Sequence, residues 1–203
     1  NRISESLGFE TAAVLSMAYG AAMYALFDRG RLQAGERVLI LGATGGVGLA
    51  AVELATLAGA HVLAVDGDDE RLKEAMAKGA ETVFNYSAGD LREACRAFAG
   101  QDGIDVILDP VGGALGESAA RCLGWKSRLL VFGFASGDIP KLPTNLLLLK
   151  GADAIGVFWG ESQRRDDNND KENFARLLQW HAQGKLQPHI GKVFSLDQGA
   201  QAI

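Results

Sequence analysis

Cysteine is scarce in this chain. Cys95 and Cys122 are the only two among 203 residues, and they form no C-x-x-C pair. A disulfide framework and a zinc ribbon are therefore not suggested, and two reduced, buried thiols are expected. No stretch has the ~20 consecutive apolar residues of a membrane-spanning helix. No signal peptide opens the chain, so a cytoplasmic protein is the expectation. A long basic run is also missing, and the net charge is −5. Nucleic acid and anionic membrane are disfavoured as primary partners, and a small-molecule ligand is left. Internal repeats and low-complexity segments are absent too. What is present is ordinary globular composition, 48% hydrophobic and 22% charged, with enough apolar surface for a sizeable core.

Apolar runs and turn signals alternate along the chain. Val38 to Leu41, Val62 to Val65, Thr82 to Asn85, Ile104 to Leu108, Leu129 to Phe132 and Ala154 to Phe158 read as strands. Helices are expected at Gly46 to Leu57, Asp69 to Lys78, Leu91 to Ala99, Gly116 to Leu123 and about Lys171 to Gln183. Gly59, Gly79, Gly100 and Gly184 stand just past four of those ends. A further helix, Thr11 to Arg29, precedes the first strand. The polar block Ser162 to Asn173 reads as a solvated loop leading into the last helix. Strands separated by helices of this length imply right-handed βαβ units. The fold class is α/β: a doubly wound, parallel, six-stranded sheet of order 3-2-1-4-5-6 with helices on both faces.

The densest signal is "LGATGGVG", with Gly42, Gly45, Gly46 and Gly48 between a buried strand and a helix. Spaced as A-x-G-x-x-G, it opens a helix whose free N–H groups and positive dipole end suit a phosphate. Gly45 would admit a pyrophosphate to the backbone, and Gly48 would allow close helix–strand packing. Asp66, at the end of the next strand, could accept hydrogen bonds from a ribose and repel a 2′-phosphate. Arg71, five residues on, could instead pair with that phosphate. A turn carboxylate and a solvated helix residue are the plainer readings of these two. NAD against NADP stays open.

With these residues in hand, the chain resembles the cofactor-binding half of the medium-chain dehydrogenase/reductases, in their zinc-independent quinone oxidoreductase branch. The matching stretches are "AGERVLILGATGGVGLAAVELATLAGAHVLAV", "KGAETVFNY", "GIDVILDPVGG", "SRLLVFGFASGDIPKLPTNLLLLKG" and "AIGVFWG". The resemblance implies a Rossmann domain that binds NAD(P)H. Thr44, Gly45, Gly46, Val47 and Gly48 would wrap the pyrophosphate. Asp66, Gly67 and Arg71 would surround the adenosine ribose, with Tyr86 beside them. Val111 and Gly112 would border the adenine–ribose passage. Phe132, Gly133, Phe134, Ala135 and Ser136 would lie along the nicotinamide ribose, and Val157, Phe158 and Trp159 would bound the nicotinamide pocket. Plain sheet-edge packing is the alternative for these aromatics. Gly20-Ala21 stands where a Thr-Ala pair is typical, so a Thr contact to the cofactor would be lost.

The same resemblance implies three parts: an interdomain helix (1–30), the Rossmann domain (31–189) and the start of a return segment (190–203). The return would run to an N-terminal barrel that forms the other wall of the cleft and has no counterpart here. The expected reaction of the intact protein is hydride transfer from NAD(P)H to a quinone or an activated enone. A cofactor-binding protein without turnover, crystallin-like or regulatory, and an enoyl-reductase-like module of a larger synthase are the alternatives. This chain offers no evident acid or base and no metal site. His61, His181 and His189 are scattered, and no tyrosine is followed by lysine at the fourth position, as a short-chain dehydrogenase requires. A homodimer is expected through the sixth strand, Ala154 to Trp159, because an apolar edge strand invites pairing with its copy.

Overall fold

The computed structural model describes residues 7–165 and 167–202. A helical run opens the described chain. It consists of α1 (Phe9–Val14), a π-helical stretch Leu15–Tyr19, α2 (Gly20–Met23) and a second π-helical stretch Tyr24–Arg29. There follow β1 (Arg37–Leu41), α3 (Gly46–Leu57), β2 (His61–Asp66), α4 (Asp69–Ala77), β3 (Thr82–Asn85) and α5 (Leu91–Ala99). The second half contributes β4 (Ile104–Asp109), α6 (Gly113–Ala120), β5 (Leu123–Val131), α7 (Thr144–Lys150), β6 (Asp153–Gly156), α8 (Trp159–Arg165) and α9 (Asp167–Ala182). A 3-10 turn (Leu196–Gln198) and α10 (Gly199–Ala202) close it.

The strands form one parallel sheet of order β3-β2-β1-β4-β5-β6. Side chains alternate across it, as the pleat dictates. Val38, Ile40, Val62, Ala64, Val106 and Leu108 pack toward the first helical run, α3 and α9. Leu39, Leu41, Leu63, Val65, Ile107 and Leu129 pack toward α5 and α6. Both faces are thus covered, which is why the strands read as continuous apolar runs.

The structure corrects the sequence reading in four places. The fourth interstrand helix runs Gly113–Ala120 rather than Gly116 to Leu123. It starts early because the Asp109 carboxylate receives the Val111 and Gly112 N–H groups, at 2.9 and 2.7 Å, and turns the chain at once. Leu123 instead pairs with Ile104, so β5 begins six residues before the expected Leu129. A register shift between Ile104 and Val106, with Lys126 at φ 56°, breaks the apolar pattern that would have shown this. The sixth strand ends at Gly156, so Val157, Phe158 and Trp159 lie beyond it.

The polar block Ser162 to Asn173 is the fourth correction, since its described residues are helical, in α8 and α9. Several of its described polar side chains are paired along and between helices. Glu161 pairs with Arg164 at 3.0 Å and with Arg165 at 2.6 Å. Trp159 Nε1 and Gln163 Nε2 donate to the two carboxylate oxygens of Asp170, at 2.9 and 3.0 Å. Asn169 and Asn173 both donate to Asp28 Oδ2, at 2.9 and 2.7 Å, and so tie α9 to the first helical run. Among the described residues, no helix is long and apolar enough to cross a membrane.

Candidate dinucleotide site

β1 and β4 are neighbours whose following connections go opposite ways, so a crevice opens past their C-terminal ends. The glycine loop forms one lip. Gly42 leaves β1 at φ 59°, and its carbonyl accepts the Gly45 N–H at 3.1 Å. Gly48 allows α3 to fold back against this turn. A Cβ there would sit 2.1 Å from the Gly42 oxygen and 2.7 Å from Ala43 Cα, both backbone atoms. Gly46 differs: a Cβ there would meet nothing closer than Ala18 Cβ at 3.9 Å. The bare Gly46 backbone therefore faces space, not protein.

That space is a groove of about 690 Å³. Met17 and Ala18, in the first π-helical stretch, line one side, with Thr44, Gly46 and Leu49 opposite and Arg71, Glu74 and His189 at the end. Outside the groove, Glu53 on α3 anchors the segment that leads to His189. Glu53 accepts the Gln187 N–H at 2.9 Å and the Tyr19 hydroxyl, and pairs with Lys78 at 3.3 Å. Burial, together with the hydrogen bond to Glu53, raises the Tyr19 phenol above its ordinary range. His189 Nε2 lies 3.5 Å from Glu74.

Asp66 organises the loop at the end of β2. Its Oδ2 receives the Thr44 N–H at 3.1 Å and the Thr44 hydroxyl at 2.7 Å, and its Oδ1 receives the Gly67 N–H at 2.7 Å. An ionised carboxylate has about four lone-pair sites, so one stays available. Asp68 caps α4, receiving the Glu70 and Arg71 N–H groups at 2.9 and 3.2 Å. That cap sets Arg71 so that its guanidinium donates to the Thr44 carbonyl at 2.9 Å. Tyr86 follows β3 and leans on Gly67, where a Cβ would be 2.6 Å from its hydroxyl.

The second lip is built on Asp109. This residue is 3% exposed, and its burial raises the carboxyl above its ordinary pKa against the opposing pull of the Gly112 and Val111 N–H groups. The chain after β5 bonds back to this lip. Phe132 and Gly133 donate to the Asp109 carbonyl at 3.0 and 3.2 Å, Ala135 to Pro110 at 3.0 Å and Ser136 to Val111 at 3.0 Å. Val111 in turn touches the glycine loop, since a Cβ on Gly42 would be 3.1 Å from Val111 Cγ2.

The structure thus groups Thr44 to Gly48 with Asp66, Gly67, Arg71 and Tyr86, and groups Val111 and Gly112 with Phe132 to Ser136. The remaining three expected residues are dispersed. Val157 is buried in the core, Phe158 is 74% exposed, and Trp159 starts α8 with its indole against Gly20. A Cβ on Gly20 would lie 2.8 Å from that ring, so this glycine makes room for Trp159. Asp109, the wall at His189 and its anchor Glu53 were not singled out from the sequence. The other two histidines have protein partners: His61 with Glu81 at 2.6 Å and His181 with the Leu186 carbonyl at 3.0 Å. Among the described residues, no group of three or more His, Cys, Asp or Glu side chains could hold a metal ion.

A glycine loop at the switch point of a doubly wound parallel sheet defines the Rossmann class. The chain belongs to the medium-chain dehydrogenase/reductase superfamily, for the family model described as zinc-binding dehydrogenase matches residues 46–180. It is 41% identical to quinone oxidoreductase-like protein 2 of Rattus norvegicus, over 97% of this chain and 57% of that protein. It is 33% identical to the quinone oxidoreductase of the same organism, over 98% of this chain and 59% of that one. Among solved structures, the CurK enoyl reductase superposes with a TM-score of 0.86 at 25% identity, covering 100% of this chain and 60% of its own. The chain therefore spans a little over half the length of these relatives.

Proposed function

We propose that this chain binds the reduced nicotinamide cofactor of an oxidoreductase that transfers hydride to a quinone or to an activated enone. The observation that carries the reading is the Gly46 backbone at the start of α3, bare toward the groove while Gly48 beside it is closed off by backbone. A turn needed only for packing would require Gly42 and Gly48 but not Gly46. In this reading the N–H groups from Thr44 to Gly48 hold the pyrophosphate, and Asp66 receives a ribose hydroxyl at its free lone pair. Val111, Gly112 and Phe132 to Ser136 line the path of the nicotinamide half. When bound, the cofactor supplies the hydride, and the chain's residues bind it, orient it and exclude water.

We also infer that NADH is preferred over NADPH. Asp66, Asp68 and Asp69 crowd the end of β2, and the Arg71 guanidinium is already engaged by the Thr44 carbonyl. Because the relatives are longer than this chain, the reading assigns substrate closure to sequence outside it. A zinc-independent reaction and a homodimer belong to the same proposal. The dimer would pair β6, an edge strand whose flanking Leu148, Leu149 and Phe158 are exposed. Calorimetric titration of the chain with NADH and NADPH tests the binding. Oxidation of both cofactors by the full-length protein against a panel of quinones and enones tests the reaction. Absence of binding would overturn the reading, and binding without turnover would favour a non-enzymatic cofactor-binding role.

A further inference from the structure

Cys95 on α5 and Cys122, between α6 and β5, are both free and buried. Both residues belong to one packed cluster, and Cys122 Sγ donates to the Ser118 carbonyl at 3.7 Å. They line a cavity of about 250 Å³ at the N-terminal ends of β4 and β5, the end of the sheet opposite the glycine loop. Arg92, Arg96, Arg121 and Lys150 complete its charged walls. Among the described residues, none of these four cations has an ion-pair partner. Cations without ion-pair partners, grouped around two thiols that line one cavity, make a site that packing alone does not require.

We propose that Cys95 and Cys122 form a thiol–disulfide exchange site whose cationic mouth admits a small anionic disulfide. Cys122 is the attacking group. The Cys95 thiol beside it lowers its pKa, and the charges of Arg92 and Arg96 act the same way, against desolvation and the charge of Asp90. Cys95, the more deeply buried of the two, is the second thiol to react. In the first step the Cys122 thiolate attacks one sulfur of R–S–S–R. A Cys122–S–S–R bond forms, and the released R–S⁻ takes up a proton. In the second step Cys95 gives up its proton and attacks the Cys122 sulfur, and a second R–S⁻ leaves and is protonated. The protein loses two electrons and two protons, and the disulfide becomes two thiols. One arm of a small disulfide suits a cavity of this size, with the other arm in solvent.

The test uses the reduced, full-length protein with two probes, glutathione disulfide, which is anionic, and bis(2-hydroxyethyl) disulfide, which is neutral. Trapped samples are read by intact mass. The expected result is loss of two hydrogens, about tenfold faster with the anionic probe at low salt, with the advantage shrinking at about 0.5 M salt. Cys95→Ser stops at a glutathione adduct on Cys122, and Cys122→Ser shows neither product at that rate. Arg92→Gln with Arg96→Gln, both exposed on α5, leaves the fold intact and removes the preference for the anionic probe. That pair keeps the test decisive should Cys122→Ser fail to fold. Equal rates for the two probes would overturn the proposal. So would thiols that stay unreacted under conditions that oxidise the urea-unfolded chain.

Discussion

Alanine at position 46 separates a ligand cradle from a structural turn. Gly46 is the first residue of α3 and is not among the glycines with positive φ. An added methyl meets no protein atom closer than 3.9 Å. Glycine to alanine at such a position stabilises by about 0.4–1 kcal/mol, through loss of freedom in the unfolded chain. The same methyl projects into the groove where the pyrophosphate would lie. Holding the phosphate off the backbone removes one or two charge-assisted hydrogen bonds, about 1.5–3 kcal/mol each. Cofactor affinity should therefore fall about 30–150-fold, or 2–3 kcal/mol. Gly48→Ala gives the contrast, because its methyl meets backbone at 2.1 and 2.7 Å, with no flexible side chain to yield. It should cost about 3 kcal/mol of stability or more, since the helix must move off the strand. Urea denaturation and calorimetric titration of both variants measure the two axes. A Gly46→Ala protein that is stable and binds NADH like the parent would refute the cradle. A Gly48→Ala protein of unchanged stability would refute the close packing of α3 on the loop.

Asp66→Asn removes the charge and leaves one acceptor oxygen, which serves Thr44 or Gly67 but not both. The ratio of NADH to NADPH affinity should fall by about tenfold, near the 1–2 kcal/mol of unit charges a few ångström apart at a half-exposed site, and competition titrations would show it. Asp109 has its pKa raised by burial in the fold, so the folded state holds its proton more tightly than the unfolded chain. Its contribution is then fullest below the unfolded pKa and is lost as pH rises through the folded one. The stability of the parent relative to Asp109→Asn should accordingly decline upward from about pH 4, the ordinary aspartate range, in denaturation curves across pH. Ala154→Lys puts a charge on an exposed position of edge strand β6, and sedimentation should show a dimer turned to monomer with the fold unchanged by circular dichroism.

The fold from β1 to α5 was legible because each strand there is a short apolar run and each helix stops at a glycine. Those signals are local. The second half weakens them. β5 carries a bulge at exposed Trp125 and Lys126, which hides its first residues behind polar and aromatic ones. The polar block lacked helical periodicity, since its helices are held by ion pairs within a turn and by Asp28, which lies 141 and 145 residues from its Asn169 and Asn173 partners. Composition alone reads such a segment as solvated loop, because pairing that distant leaves no trace in a window of sequence.

The candidate site divides in the same way. Its loop is a local motif, but its groove is assembled across the chain. Met17 and Ala18 face Thr44 across that groove, and Glu53 ties their helical run, through Tyr19 34 residues away, to Gln187 134 residues away. Asp66 is where the two kinds of information meet. The sequence offers a ribose acceptor or a turn carboxylate as alternatives, yet the structure makes them compatible. Three of about four lone pairs hold Thr44 and Gly67 in place, and the fourth is left over. The three internal bonds fix the carboxylate before any ligand arrives, so its orientation costs little on binding. A residue that shapes the loop and, under the proposed function, also receives a ribose hydroxyl would show, on substitution, a loss of stability and of affinity together. Asp66→Ala should therefore lower both, and Asp66→Asn, which keeps one acceptor oxygen, should lower both by less.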